Sequence, residues 1–437
     1  MSKKLHIVSL GCTKNLVDTE VMMGRLQNYE LTQDQSDADV IIVNTCGFID
    51  AAKEESINTI LNLHDARKED SLLVMAGCLS ERYQAELVQD MPEVDLFTGV
   101  GDYERIDELL ASKKSQFSEE VYLIDGAERV VTGSTYHAYI KLSEGCNQTC
   151  SFCAIPSFKG KLNSRSLDSV AREVEGLVKK GYYDFSFVSQ DSSSYLRDKK
   201  TIDGLSLLIS RIELIEGVKS ARILYLYPST TSLKLIQNIG KSKIFQNYFD
   251  MPIQHINDEM LRMMKRGFGK EKTIELLDAM KALPNSFLRT SFIVGHPNET
   301  QEMFDEMCDF AASFGFDRIN VFSYSDEETT PAYEMSDKID KKTIEKRAKI
   351  LGKIASACEL KSLEKEIGKT VSIVIDGESE ESEYILSAKE LAWAPEIDGE
   401  LYVTDREFDE DLEFGKIYQA TITSLAGTKL LCTVNNA

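Results

Sequence analysis

The sequence predicts a three-part α/β protein: an N-terminal doubly wound α/β domain, a central partial TIM barrel of six βα units, and a small C-terminal antiparallel β-barrel. Three observations lead there. Short apolar runs alternate with helix-compatible stretches over the first hundred residues. The same alternation resumes on a larger scale from about residue 135, and the last seventy residues hold only short strand-like runs separated by Gly, Asp and Glu. Strand–helix alternation implies parallel strands joined by right-handed crossovers, whereas closely spaced strands without helices imply a closed antiparallel design. At 437 residues the chain can give each part its own core.

In the first part, "LHIVSL" (5–10), "ADVIIVNT" (38–45) and "LLVMAG" (72–77) read as buried parallel strands, each followed by helical sequence such as "NLVDTEVMMGRL". Residues from about 110 to 133 are polar and mixed, a linker or a peripheral strand. Six strand candidates follow: "YHAYIKLS", "YDFSFVSQD", "ARILYLYPS", "QNYFDMPIQH", "FLRTSFIVGHP" and "RINVFSYSD". Between the first two, Val170, Val174, Leu177 and Val178 share one face of a helix. A long charged helix is expected from about 340 to 366. "TVSIVID", "EYILSAKE", "GELYVTD", "GKIYQATITSL" and "KLLCTVN" supply the five strands of the last barrel. The expected domain boundaries are 1–125, 133–365 and 367–437.

The formal net charge of −22 weighs against a partner gripped chiefly through its phosphates. Between 367 and 437, five cations stand against fifteen carboxylates, a balance of −10. That is either a well-solvated surface or a field that steers a basic partner. No apolar run approaches the roughly 20 residues that cross a bilayer. The N-terminus carries no secretory signal pattern, so a cytoplasmic protein without membrane association is expected.

Nine cysteines in such a chain are poorly suited to a disulfide framework, because the cytosol keeps thiols reduced. Cys12, Cys46 and Cys78 each follow one of the first three strands, 34 and 32 residues apart. Ligands of open α/β sheets sit beyond the strand C-termini, so these three can converge; otherwise they are small residues filling strand–helix junctions. Cys146, Cys150 and Cys153 crowd into "EGCNQTCSFCAIP", just after the first strand of the larger barrel. A closed zinc site needs four ligands, and His137 is the nearest histidine. Three thiolates on a 4Fe–4S cube hold three irons and leave the fourth open to a small molecule.

The spacing Cys-x-x-x-Cys-x-x-Cys, with Phe152 before the last cysteine, resembles the radical S-adenosylmethionine superfamily. The resemblance implies a radical-SAM core of (βα)6 type, with a 4Fe–4S cluster on Cys146, Cys150 and Cys153. It also implies S-adenosylmethionine chelated at the open iron and cleaved to a 5′-deoxyadenosyl radical. Taken with "SLGCTKNLVDTE", "VNTCGFIDAAKEES", "MAGCLSERY" and "KLSEGCNQTCSFCAIPSFKGKLNSR", the whole chain resembles the methylthiotransferases. That likeness implies a second 4Fe–4S cluster on Cys12, Cys46 and Cys78, which carries the sulfur to be delivered. It also implies a C-terminal TRAM-like (OB-like) barrel that recognises substrate.

"LGCTKNLVDTE", "VSQDSSSY", "LYLYPST" and "FDMPIQHINDEMLRMMKRG" resemble the branch that modifies the β-carbon of an aspartate in ribosomal protein S-twelve (RimO-type). The implied partners are that basic protein, on the small subunit, and a reductant such as flavodoxin or ferredoxin, with no tRNA. A tRNA adenosine methylthiotransferase would share the chemistry but calls for a basic tail. A non-catalytic iron–sulfur carrier would leave the six-unit barrel without a purpose. Two positions depart from the branch: "CTK" replaces "CPK", and Lys159 in "FKG" replaces an arginine, keeping the charge but losing the planar fork.

Gln190 and Asp191 end the second core strand, where related enzymes contact the methionine amino group; the alternative is ordinary strand-end polarity. Gly295 in "FIVGHP" would let adenine approach the backbone, or serves a turn. Asp250, Gln254 and His255 face the expected cavity as substrate contacts or as hydrogen-bonded structure. Arg165 pairs with a carboxylate or caps local backbone. Cys308, Cys358 and Cys432 read as packed thiols. His6, His64 and His296 carry no ligand spacing, and Trp393 and "MLRMMKRG" read as packing.

Overall fold

A computed structural model describes residues 2–124, 129–379 and 381–436. The N-terminal sheet has five parallel strands, β1 (Lys4–Ser9), β2 (Glu30–Leu31), β3 (Val40–Thr45), β4 (Leu72–Gly77) and β5 (Leu96–Phe97), in the order β2-β1-β3-β4-β5. Its strands are apolar on both faces because helices cover both. Val40, Ile42 and Val74 pack on one side, and Ile41, Val43, Leu73 and Met75 on the other. The chain direction of the order reverses between β1 and β3, and a crevice opens at the C-terminal ends of strands at such a point.

The second sheet also follows expectation. After β6 (His137–Lys141) come the short antiparallel pair β7 (Ser143–Glu144) and β8 (Asn163–Ser164). Then follow β9 (Asp184–Val188), β10 (Ser220–Ile223), β11 (Phe245–Asp250), β12 (Phe287–Val294) and β13 (Arg318–Ser323). The six long strands are parallel and neighbour one another in chain order, leaving the barrel open between β6 and β13. Alternate residues Ala138, Ile140, Phe185, Phe187, Ala221 and Ile223 face the outer helices. Between them, Arg222 turns to Asp184 and Ser186 inside the barrel. The helix Leu167–Lys179 is capped by Ser166, which accepts from the Ser169 N–H, and buries Val170, Val174 and Leu177. Val178 packs half-buried on the same core. The long helix runs Lys341–Glu364.

The last segment forms a closed barrel of β14 (Thr370–Ser379), β15 (Ser382–Glu390), β16 (Leu401–Arg406), β17 (Ile417–Ala426) and β18 (Lys429–Val434). The expectation of a wholly antiparallel barrel needs one correction: β16 pairs with β18 in parallel. A ring with an odd number of strands cannot alternate direction all the way round, so one of the five pairings must be parallel. In the polar 110–133 stretch, the helix Ile106–Ser112 covers the start and Gln116 makes a single parallel bridge to Thr98. Residues 125–128 of that stretch lie outside the described residues. Among the described residues, no helix is long and apolar enough to cross a membrane.

The small barrel closes the N-terminal end of the large one. Ser220 Oγ donates to the Leu391 carbonyl, Tyr183 Oη to that of Gly415, and the Arg318 guanidinium lies against the Phe287 and Trp393 rings. Trp393 is thus packing, as expected. Glu390 is buried at the end of β15, and its Oε2 has no hydrogen-bond partner among the described residues. Burial, followed by the charge of Glu366, raises its carboxyl to about 8. The native state therefore holds a proton that an unfolded chain has already lost, so stability falls as pH rises from the ordinary glutamate value of 4.5 towards 8. Thermal melts should show a lower midpoint at pH 9 than at pH 6. Glu390→Gln should flatten that difference by an amount on the order of a few kcal/mol.

Candidate active site

Cys12 precedes the helix Thr13–Arg25, Cys46 directly follows β3, and Cys78 opens the short helix after β4. Asn15 ties these ends together. Its Nδ2 donates to the Leu10 and Thr45 carbonyls at 3.1 Å each, and its Oδ1 accepts from the Cys78 thiol at 3.5 Å. Ser56 Oγ bonds both the Cys46 N–H and the Cys46 carbonyl at 3.1 Å. Gly11 has φ of +87°, and a Cβ there would lie 2.6 Å from Cys46 Cβ and 2.8 Å from its Sγ. Only glycine lets the chain carry Cys12 past Cys46 so closely. Burial pushes the Cys46 thiol up to about 11. Burial also pushes Cys78 up to about 12; Lys159 opposes that shift, and neighbouring Cys12 and Cys46 add to it. Three cysteines far apart in sequence thus share one electrostatic neighbourhood.

Cys146, Cys150 and Cys153 lie on the loop between β7 and β8. The loop is pinned by backbone bonds from Cys146 N to the Gly160 carbonyl and from Ser151 N to that of Met264, both 3.1 Å. His296, which carries no ligand spacing, supports the loop from the end of β12. Its Nδ1–H donates to the Pro297 carbonyl at 2.9 Å, so Nε2 is left to accept from Ser151 Oγ at 3.1 Å, and its ring meets Phe152 edge-on. Arg266 Nη1 lies 3.2 Å from Cys150 Sγ, with its guanidinium 4.1 Å over the Tyr227 ring; the Tyr227 hydroxyl is 3.5 Å from the same sulfur. Arg266 belongs to the Met-rich "MLRMMKRG" segment, whose Met260 and Met264 are core. Burial pushes Cys146 and Cys153 up to about 12. Thiols this high must lose protons to bind iron, so metal loading here is coupled to proton release. Among the described residues, no three His, Cys, Asp or Glu side chains stand where one metal ion could be held. Thiolates on a cube bind separate irons and need not meet at a point, so the three-thiol donor sets fit a cluster.

Between the two sets lies a buried charge network that local sequence patterns do not reveal. Lys141 pairs with Asp18 and Glu144, while Lys159 lies 3.6 Å from Asp18 and 3.4 Å from Glu144, all four being buried. Burial alone would raise Glu144, but the two ammoniums outweigh it and hold the carboxyl at about 2. Gln190 Nε2 donates to Glu144, and its Oε1 is buried without a partner among the described residues. Asp191 is a hub: its carboxylate accepts from Gln148 Nε2 at 2.8 Å, Ser193 Oγ at 2.7 Å, Ser194 N at 3.2 Å, and from Ser194 Oγ and Thr230 Oγ1. This joins the cysteine loop to the end of β9.

Most of the remaining candidates have evident structural duties. A Cβ on Gly295 would meet Ile344 of the long helix at 2.4 Å, so helix packing accounts for that glycine. His255 Nδ1 accepts two backbone N–H bonds, and Asp250 accepts the Tyr225 N–H. Gln254 Oε1 is buried and unpartnered among the described residues. Arg165 both pairs with Glu173 and donates to the Lys141 carbonyl. Cys358 and Cys432 are buried and Cys308 half-buried, all away from the two sets. The surface hollows beside Ala312 and Cys358, and beside Lys270 and Phe310, lie on the outer helices.

Three family patterns match in succession: Uncharacterized protein family UPF0004 over residues 4–99, the Radical SAM superfamily over 140–311, and the TRAM domain over 367–434. The Radical SAM match brings with it a 4Fe–4S cluster and S-adenosylmethionine. The chain is 78% identical over 437 residues to the ribosomal protein uS12 methylthiotransferase RimO of Sulfurimonas denitrificans, covering 100% of both. The chain belongs to the ribosomal protein uS12 methylthiotransferase family. RimO of Sulfurovum sp. is 66% identical over 99% of this chain and 98% of its own, and that of Campylobacter jejuni 56% over 98% and 97%. Among solved structures, the radical S-adenosylmethionine methyltransferase TsrM of Kitasatospora setae superposes with a TM-score of 0.53 over 74% of this chain and 73% of its own. At 13% identity that likeness concerns the fold alone.

Proposed function

We propose that the protein is a radical S-adenosylmethionine methylthiotransferase that places a methylthio group on the β-carbon of an aspartate of ribosomal protein uS12. The observation that carries this reading is full-length identity of 78% to a protein of that name. The pairing of two three-cysteine sets across one barrel mouth supports it. Cys146, Cys150 and Cys153 would hold the cluster at which S-adenosylmethionine is cleaved, and Cys12, Cys46 and Cys78 a second one. When bound, these groups supply the electron, the radical and the transferable sulfur. The chain's own part is to bury Cys46, Cys78 and Cys150 while leaving Cys12, Cys146 and Cys153 half-buried, bond Cys150 Sγ to Arg266 and Tyr227, place Lys159 beside Cys78, and hold Gln190 and Asp191 at the methionine side of the pocket. Gly295 would approach the adenine only through its backbone, since Ile344 fills the space on its Cβ side.

On this reading the chain divides at 1–125, 133–365 and 367–437, works in the cytoplasm, and draws electrons from a reductant such as flavodoxin or ferredoxin. The C-terminal barrel suits a basic protein better than tRNA. The end of β16 and its connection to β17 expose Asp405, Glu407, Asp409, Glu410, Asp411 and Glu413. The test is mass spectrometry of a uS12 loop peptide after anaerobic incubation with iron-reconstituted enzyme, S-adenosylmethionine and reductant, with tRNA in a parallel reaction. A methylthio mass gain on the aspartate alone is expected; a modified tRNA would overturn the choice of substrate. A second expected outcome concerns Gly11→Ala. The added methyl should displace Cys46, lower bound iron towards about half, and remove methylthio transfer, as read by iron analysis and peptide mass.

A further inference from the structure

Most of the buried cations around the two cysteine sets face a carboxylate. Lys141 and Lys159 face Asp18 and Glu144, Arg129 faces Glu20 and Glu173, and Arg222 faces Asp184. Lys14 is only 9% exposed, yet its ammonium makes no hydrogen bond or ion pair among the described residues. Its Nζ instead rests 3.8 Å above the centroid of the Tyr225 ring. The nearby anions are engaged elsewhere: Glu144 by Lys141 and Gln190, and Asp250 by the Tyr225 N–H. An ammonium carries three donors, and since none of them is committed to a described residue, all three are open to an incoming acceptor.

Its position identifies what arrives. Lys14 lies two residues beyond Cys12. Tyr225 lies two residues before Tyr227, whose hydroxyl is 3.5 Å from Cys150 Sγ. The ammonium therefore stands between the two cysteine sets, at the C-terminal mouth of the barrel. Tyr225 itself has φ of +62°, a conformation rare for an aromatic residue. It is held there by its N–H to Asp250 Oδ2 at 3.1 Å and by the Ser192 N–H to its carbonyl at 3.0 Å. The strained backbone sets the ring beneath the ammonium, and the cation–π contact fixes the charge without filling its donors.

We propose that Lys14 is a specificity-determining residue that receives the side-chain carboxylate of the substrate aspartate and so holds its β-carbon between the two cysteine sets. The inference rests on the reading given under Proposed function. The carbon that gains sulfur is bonded directly to that carboxylate, so an anion necessarily enters with it. A carboxylate makes short, charge-assisted bonds to the ammonium, while an asparagine amide offers one neutral acceptor and leaves the charge uncompensated.

The experiment is a competition between two uS12 loop peptides carrying aspartate or asparagine at the target position, with the fully reconstituted enzyme and product ratios read by mass spectrometry. Fluorescence anisotropy of the labelled peptides gives binding alone. The wild type should favour the aspartate peptide by about 10- to 100-fold in both. Lys14→Gln should bring the preference to within about threefold, and Lys14→Arg should restore most of it. Equal use and equal binding of both peptides by the wild type would overturn the proposal with no variant required. So would a Lys14→Gln enzyme that keeps the preference. If neither peptide is modified and tRNA is, the reading of function falls and this inference falls with it.

Discussion

Alanine at Cys146, Cys150 and Cys153 together is expected to abolish 5′-deoxyadenosine formation and methylthio transfer alike, and to leave about half the iron of the wild type. Alanine at Cys12, Cys46 and Cys78 should also halve the iron, yet this protein should still cleave S-adenosylmethionine and yield no methylthio product. The contrast arises because the two sets are supported by different elements. One loop, braced by His296 and Arg266, carries the first set; three strand ends tied by Asn15 carry the second. Iron and sulfide analysis, deoxyadenosine quantitation and peptide mass read the outcomes independently. Loss of S-adenosylmethionine cleavage in the N-terminal variant, with its remaining iron intact, would show that the sets do not divide the labour this way.

The second large effect concerns Asp18. Removing its carboxylate by Asp18→Ala leaves Lys141 and Lys159 sharing only Glu144 in a region closed to water. An uncompensated buried charge of this kind costs about 3–5 kcal/mol. Because Asp18 lies on an N-terminal helix and Lys141 on β6, the loss falls on the docking of one sheet against the other. Urea unfolding should begin at a markedly lower concentration, the earliest loss being the contact between the two sheets. Asp18→Asn, which keeps the volume, should fall between the two.

Much of this architecture was legible in the chain because it is written locally. Short continuous apolar runs located the strands of both sheets, a helical apolar spacing marked the helix between the first two core strands, and the six cysteines fell after strands that could be found without knowing the fold. What was not legible depends on partners distant in sequence. Asp18 and Lys141, like Glu20 and Arg129, are separated by more than a hundred residues, and nothing in their local context marks them as pairs. Gly295 read equally as a turn, because the side chain that fills its vacant space belongs to Ile344, on a later helix. Asp191 resembled a strand-end acid, while its carboxylate collects donors from three separate segments. The parallel β16–β18 pair follows from ring parity, which no local pattern encodes.

The two cysteine sets also differ in how much chain each must gather. Cys146, Cys150 and Cys153 are four and three residues apart, whereas 34 and 32 residues separate Cys12, Cys46 and Cys78. Each doubling of loop length adds roughly 0.6 kcal/mol of closure entropy, so each long arc costs about 2 kcal/mol more to close than a short one. Only an intact sheet removes that difference by holding the ends in place beforehand. On the proposed reading, the N-terminal set would be a chelate made by tertiary structure, and the other one made almost by the peptide itself. Mild denaturation or a competing chelator should strip the N-terminal set first. A damaged molecule would then go on consuming S-adenosylmethionine with nothing to deliver, a futile turnover built into the order in which its parts come undone.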